Sequence, residues 1–112
     1  MPSVTTALGK AALAFTDDES ILCSVMSELD PCRRRMLVSE LATVRMEWVA
    51  IDRCETFPGV VGVASPVLSA DRLPVAAISV AGPESDMDAN RMVPLVRHAA
   101  LAITQRLASQ VA

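Results

Sequence analysis

Near residue 49 the spacing of apolar residues changes from three-and-four to two, and near residue 90 it changes back. Before the first change, Leu8, Ala12 and Phe15 recur at helical spacing, then Ile21, Leu22, Val25, Met26 and Leu29, then Leu37, Leu41, Val44 and Trp48. Between the changes lie two runs rich in β-branched residues, Val60 to Leu68 and Pro74 to Ala81, preceded by a shorter one, Val49 to Asp52. After the second change, Met92, Val96, Ala99, Ile103 and Leu107 form one helical stripe. The order α-α-α-β-β-β-α, with its strands consecutive, predicts an α+β fold: an antiparallel sheet flanked by helices.

Local signals set the boundaries. Thr5 or Thr6 suits the N-cap of a first helix reaching Phe15, and Asp17-Asp18-Glu19 suits the positive start of a second. Asp30-Pro31 breaks that helix, and a third runs from about Arg33 to Glu47. Phe57-Pro58-Gly59 is a turn, Ser69 to Arg72 closes a hairpin, and Gly82-Pro83 ends its second strand. Asp86 and Asp88 are cap candidates for a last helix from about Asn90 to Gln110, with Pro94 near its first turns. Three strands make a small sheet with unpaired edges and a poorly covered face. The chain thus reads like part of something larger and is expected to self-associate.

The 112 residues suffice for one domain, and 52% are hydrophobic, enough for a core. Aromatics are limited to Phe15, Trp48 and Phe57, so the core must be aliphatic. A net charge of −3 argues against holding a phosphate backbone; the basic run Arg33 to Arg35 reads as a solvated helix start or loop. Cys23, Cys32 and Cys54 form no CxxC pair and suggest neither a disulfide framework nor a zinc site. Reduced thiols, with no signal peptide and no membrane-length apolar run, point to the cytoplasm and away from membranes.

No catalytic constellation stands out, so the chain is expected not to be an enzyme and to need no cofactor or metal. Gly9-Lys10 lacks the upstream glycine and the Ser/Thr of a phosphate loop. His98 reads as a surface or satisfied histidine, and a Cys54–His98 nucleophile pair has no signature behind it.

The hairpin is the most informative element. One face of its second strand shows Val75, Ala77, Ser79 and Ala81, and one face of its first shows Val60, Gly62 and Ala64. If these share a side, it has unfilled room, taken either by a closely packed helix or by a ligand. Asp52, at the end of an apolar strand, is either a turn cap or the polar anchor of a pocket. The amides near Thr6, Ala7 and Leu8 lack intrahelical partners and could receive a carboxylate, or the threonine simply caps them.

Several segments resemble the effector-binding domain of IclR-type bacterial transcriptional regulators. Thr6 to Phe15, TALGKAALAF, resembles that family's "TALGKALLAF" helix, and Glu40 to Arg45 its "ELAxVR" helix end. Ile51-Asp52-Arg53-Cys54-Glu55 with Gly59 to Val67 is similar to its "xDxEE…GVxCIAAPV" strand, and Val75 to Pro83 to its "VAALSVSGP" strand. Arg91 to Leu107 resembles the closing helix. The resemblance implies a GAF/profilin-like sensor fold in which a small organic acid or aromatic metabolite binds on one face of a curved antiparallel sheet. Its pocket positions fall on Ala7 and Leu8 as backbone donors, and on Asp52, Val60, Gly62, Ser79 and Ala81. It also implies a homo-oligomer, dimer or tetramer. The alternative is an interaction fragment of such a regulator that binds no ligand.

The resemblance includes neither the family's winged helix-turn-helix nor the opening helix and strands of its effector domain. Residues 1–112 are therefore expected to form a single, partial effector domain without direct nucleic-acid binding. Leu29 to Val38 is shorter than the family pattern and lacks its threonine pair. Trp48 stands where a glycine is usual, Val49 for a tyrosine, Gly62 for a cysteine and Ala81 for a serine.

Overall fold

A computed structural model describes residues 5–110. The helices are α1 (Ala7–Phe15), α2 (Glu19–Ser27), α3 (Pro31–Glu47) and α4 (Ala89–Ser109). Three strands lie between α3 and α4: β1 (Ala50–Arg53), β2 (Val60–Leu68) and β3 (Pro74–Pro83). They form one antiparallel sheet in the order β1-β2-β3.

Each helix begins on a side-chain oxygen. Thr6 accepts from the Gly9 amide at 3.0 Å, and Asp18 from the Ser20 and Ile21 amides. Asp30 accepts from the Arg33 amide at 2.9 Å, and Asp88 from the Asn90 amide at 3.0 Å. Asp30-Pro31 thus does more than end α2. Asp30 caps α3 and Pro31 occupies its first turn, so the helix starts two residues earlier than the sequence reading had it. The basic run beside it is exposed, as expected, yet Arg34 has a structural task. Its Nε lies 2.8 Å from the Leu29 carbonyl and 2.7 Å from that of Met26, which also accepts from the Leu29 amide, so Arg34 ties the start of α3 to the end of α2.

α3 ends on Trp48, whose φ of 62° and ψ of 28° lie in the left-handed region. That conformation favours glycine, the residue usual at this place in the resembled family. The indole is held edge-on to Phe15 at 5.5 Å, with the Arg72 guanidinium 5.3 Å from the ring centre.

β2 is the spine of the sheet, and its residues from Val61 to Leu68 are all buried. Ala64 and Ala50 face α1 and join a cluster with Ala7, Ala11, Leu13, Ala14, Val25, Leu37, Leu41 and Val44. Val63 faces the other way, toward Val49, Ala89 and Val96 under α4. The two faces therefore carry different helices, α1 backed by α3 on one and α4 on the other.

Two elements differ from the sequence reading. β3 runs on through Gly82 to Pro83, because the Val60–Pro83 pairing extends the ladder past Ala81. In α4 the buried stripe is Ala89, Val96 and Ala100 rather than Ala99, Ile103 and Leu107, and Ile103 is 41% exposed. The next turn toward the sheet carries Thr104, whose hydroxyl accepts from the Leu68 amide at 3.0 Å. An unpaired buried amide thus selects a threonine over an isoleucine. Among the described residues no helix is long and apolar enough to cross a membrane.

Candidate functional site

The small-residue faces of the hairpin do share a side. The register sets Asp52 opposite Gly62 and Gly62 opposite Ala81, while Ala64 faces both Ala50 and Ser79. What fills that side changes along the strands. Over Ala50 and Ala64 the alanines of α1 pack directly against the sheet. Toward Gly62 and Ala81 α1 begins, and a cavity of about 170 Å³ remains beside its first turn. The packed-helix reading therefore describes one end of the small face, and the other end is open space.

All seven residues singled out from the sequence line this one cavity: Ala7 and Leu8 from α1, Asp52 from β1, Val60 and Gly62 from β2, Ser79 and Ala81 from β3. Thr6, Thr56, Phe57 and Val80 complete it. A Cβ added at Gly62 would lie 3.7 Å from the Ala7 Cβ and 3.8 Å from the Asp52 Cβ, so the wall is close there without being closed. Ser79 and Ala81 are exposed and form the open side. About 150 Å³ is enough for a benzene-sized guest, which makes the cavity adequate for a small acid or a single ring and too small for anything larger.

Asp52 is buried, at 7% exposure, and both its oxygens are engaged. Oδ1 accepts from the Glu55 amide at 2.8 Å and Oδ2 from the Thr56 hydroxyl at 2.9 Å. Thr56 Oγ1 also lies 3.0 Å from Thr5 Oγ1, tying the β1–β2 turn to the start of α1. Asp52 is thus a turn cap that also lines the cavity. A carboxylate has roughly four lone-pair sites, so it retains capacity for a ligand hydroxyl. Thr6 takes the Gly9 amide, and Ala7 and Leu8, in the first turn of α1, line the cavity.

Thr56 and Phe57 escaped the sequence reading because they belong to a turn, where no periodicity marks a side chain as facing inward. Lys10 escaped it for another reason: the Gly-Lys pair suggested only a failed phosphate motif. In fact Lys10 is 1% exposed. Its Nζ meets Glu40 at 2.7 Å and Glu55 at 2.5 Å, and donates to the Ile51 carbonyl at 3.2 Å. Burial pulls the ammonium pKa down, but hydrogen bonds and charge from Glu40 and Glu55 outweigh it and hold the pKa above its ordinary value. The signal was available, since Lys10 sits among Ala7, Ala11 and Ala14 on the apolar face of α1.

Cys54 also has a positive φ, 61°, and its thiol donates to Glu84 Oε2 at 3.0 Å. That hydrogen bond, with some burial, pushes the thiol pKa up, away from the thiolate a nucleophile requires. His98 is exposed on α4, and the nucleophile pair considered from the sequence is not what the geometry offers Cys54. Among the described residues no group of three His, Cys, Asp or Glu could hold a metal ion. Larger clefts exist elsewhere. One of about 450 Å³ is lined by Glu84, Asp86 and Asp88, whose charges outnumber that of Arg53 beside them, and one of about 390 Å³ lies beside Lys10 and Glu40.

Fold and cavity together define an α+β domain with a small, mostly apolar hollow between the end of a sheet and the start of a helix. Residues 1–105 match the family described as bacterial transcriptional regulator IclR C-terminal, and the chain belongs to that family, one of regulators rather than enzymes. Solved structures agree. A transcriptional regulator from Rhodococcus sp. RHA1 superposes with a TM-score of 0.79 at 26% identity over 97% of this chain and 49% of its own. An IclR-type regulator from Alicyclobacillus acidocaldarius gives 0.80 at 26%, over 96% of this chain and 46% of its own. The Thermotoga maritima IclR shares the fold, with 0.78 at 24%, over 94% and 47%. The chain spans about half the length of these regulators. No curated protein matches it significantly.

Proposed function

We propose that this chain is the ligand-sensing and oligomerising part of an IclR-type regulator, a single partial effector domain that binds a small organic acid or aromatic metabolite and acts in the cytoplasm. The observation that carries this reading is the convergence of Ala7, Leu8, Asp52, Val60, Gly62, Ser79 and Ala81 on one cavity. In it, the helix-start amides of Ala7 and Leu8 hold a ligand carboxylate, supported by the positive end of α1. Asp52 faces a ligand hydroxyl rather than the carboxylate, since like charges repel in a poorly solvated site. Gly62, Ala81 and Val60 set the apolar walls. A thermal-shift screen against small carboxylic acids and aromatic metabolites tests this. A true ligand at a hundred times its Kd adds about 2.7 kcal/mol, which for a domain of this size raises Tm by roughly 10 °C.

One observation favours a second reading, an interaction fragment that binds no metabolite: the Asp52 oxygens already have partners in their own turn. A screen of small acids and aromatics in which no compound moves Tm would leave that reading in place. On either reading the chain should have no measurable DNA affinity. Its net charge is −3 and Arg34, at the centre of its one basic run, is held against α2. A gel shift showing micromolar, salt-dependent binding would contradict this.

A further inference from the structure

Lys10 carries its charge where charge is costly. It sits among Ala7, Ala11 and Ala14 on the apolar face of α1 and is 1% exposed. A methionine of similar length would fill that space without the desolvation penalty, so packing alone does not account for a lysine. What an ammonium has and a thioether lacks is a set of directed bonds. One goes to α3, where Nζ meets Glu40 at 2.7 Å. The other two go to the segment around Asp52. Nζ donates to the Ile51 carbonyl at 3.2 Å and meets Glu55 at 2.5 Å.

Those two bonds bracket the Asp52 carboxylate. The Ile51 carbonyl belongs to the peptide that leads into Asp52, and the Glu55 amide donates to Asp52 Oδ1 at 2.8 Å. Lys10 thus grips both ends of the short segment from which Asp52 reaches the cavity. The same helix supplies another wall. Ala7 stands three residues before Lys10 on the buried face of α1, about 4.5 Å along the axis. One ammonium therefore ties the helix start to the Asp52 turn. The contact between Thr5 and Thr56 hydroxyls, at 3.0 Å, is a second tie, but it joins neutral groups. Charge-assisted bonds are about twice as strong, so the lysine dominates. Lys10 does not itself line the cavity, so whatever it does there it does through Asp52.

We propose that Lys10 is a positioning residue of the cavity, holding the Asp52 carboxylate at a set distance from the first turn of α1. The use made of that distance rests on the ligand-sensing reading above; the placement itself does not. A ligand whose carboxylate sits at the helix start meets Asp52 at one separation. The cavity then selects among small acids by where they carry a hydroxyl, because Asp52 accepts from it only at that separation.

Amide hydrogen exchange on the ligand-free chain tests the placement. In Lys10→Met, protection of the amide at position 55 should fall about tenfold, while that of Val63 in β2, which reports global opening, changes little. Glu55→Gln and Glu40→Gln each remove one counter-charge, and the two carboxylates are similarly exposed. A lysine with a purely structural role would make these two variants alike. Positioning requires that Glu55→Gln lower protection at position 55 and that Glu40→Gln leave it as in the parent. If Lys10→Met fails to fold, that comparison decides. Unchanged protection at position 55 in Lys10→Met, or an equal loss at Val63, overturns the proposal. Binding is measured with lactate and propionate, which differ by one hydroxyl. Lys10→Met should reduce the advantage of lactate over propionate about tenfold and leave propionate nearly unaffected. An advantage that survives Lys10→Met overturns the selection of acids by their hydroxyl. If no acid of the thermal-shift screen binds, the ligand-sensing reading fails, and the exchange result alone decides the placement.

Discussion

Replacing Glu40 and Glu55 together with glutamine should destabilise the fold by about 3–5 kcal/mol, because it leaves the Lys10 ammonium buried without a counter-charge. Against a total of roughly 5–15 kcal/mol for a domain, that brings the chain close to unfolding. Either single replacement should cost much less, since one carboxylate remains and both are partly exposed, at 41% and 37%. Lys10→Met should be far milder than the double replacement. It removes the charge with its burial penalty and keeps most of the volume. Urea denaturation at neutral pH distinguishes the three, and a double variant as stable as the parent would show that the ammonium has another source of stabilisation. The pH dependence follows from the direction of the shift. The Lys10 pKa is raised in the folded state, so its contribution is fully present below the unfolded value of 10.5. It is lost as the pH climbs through the raised folded value. The parent should therefore lose stability at strongly alkaline pH, and Lys10→Met should lose less.

Replacing Gly62 with leucine should abolish binding of any ligand found by thermal shift. The side chain would extend from a Cβ 3.7 Å from Ala7 into the 170 Å³ cavity and occupy it. Gly62→Ala is the matched control. Its single added carbon meets Ala7 and Asp52 at ordinary contact distances, so affinity should fall only a few-fold and stability should hardly change. If the hollow collapses in solution and α1 packs there as it does over Ala64, the leucine should instead cost roughly 1–3 kcal/mol of stability. Calorimetric titration together with the unfolding midpoint separates the outcomes. Binding unaffected by Gly62→Leu would move the ligand site elsewhere.

Much of the architecture was legible because it rests on periodicity and capping. The β-branched run from Val60 to Leu68 marks β2 to the residue, and Thr6, Asp18 and Asp88 announce three helix starts, whereas Asp30 reads from the sequence only as the end of α2. What escaped was decided between elements. Nothing local in α4 tells that Thr104 rather than Ile103 turns to the sheet; that depends on the Leu68 amide needing an acceptor. Nor does a lysine at position 10 announce itself as core, since the two carboxylates that make its burial tolerable lie 30 and 45 residues further along. For the cavity, composition indicated room on one face, and the family resemblance selected the residues. The division of that face between packed helix and open hollow depends on where α1 begins over the sheet, which no strand pattern encodes.

The burial of α2 has a consequence for how the molecule opens. Of its nine residues only Val25 is fully buried, whereas β2 is shielded along almost its whole length. Free energy for local opening is spread accordingly, small at α2 and approaching the global value at β2. The segment from Asp17 to Leu29 can lift away as a unit while the sheet and its cavity stay intact. Once it lifts, the Arg34 contact is broken and Phe15, Val25 and Leu41 lose part of their cover. Fraying there would briefly show apolar surface to the surroundings.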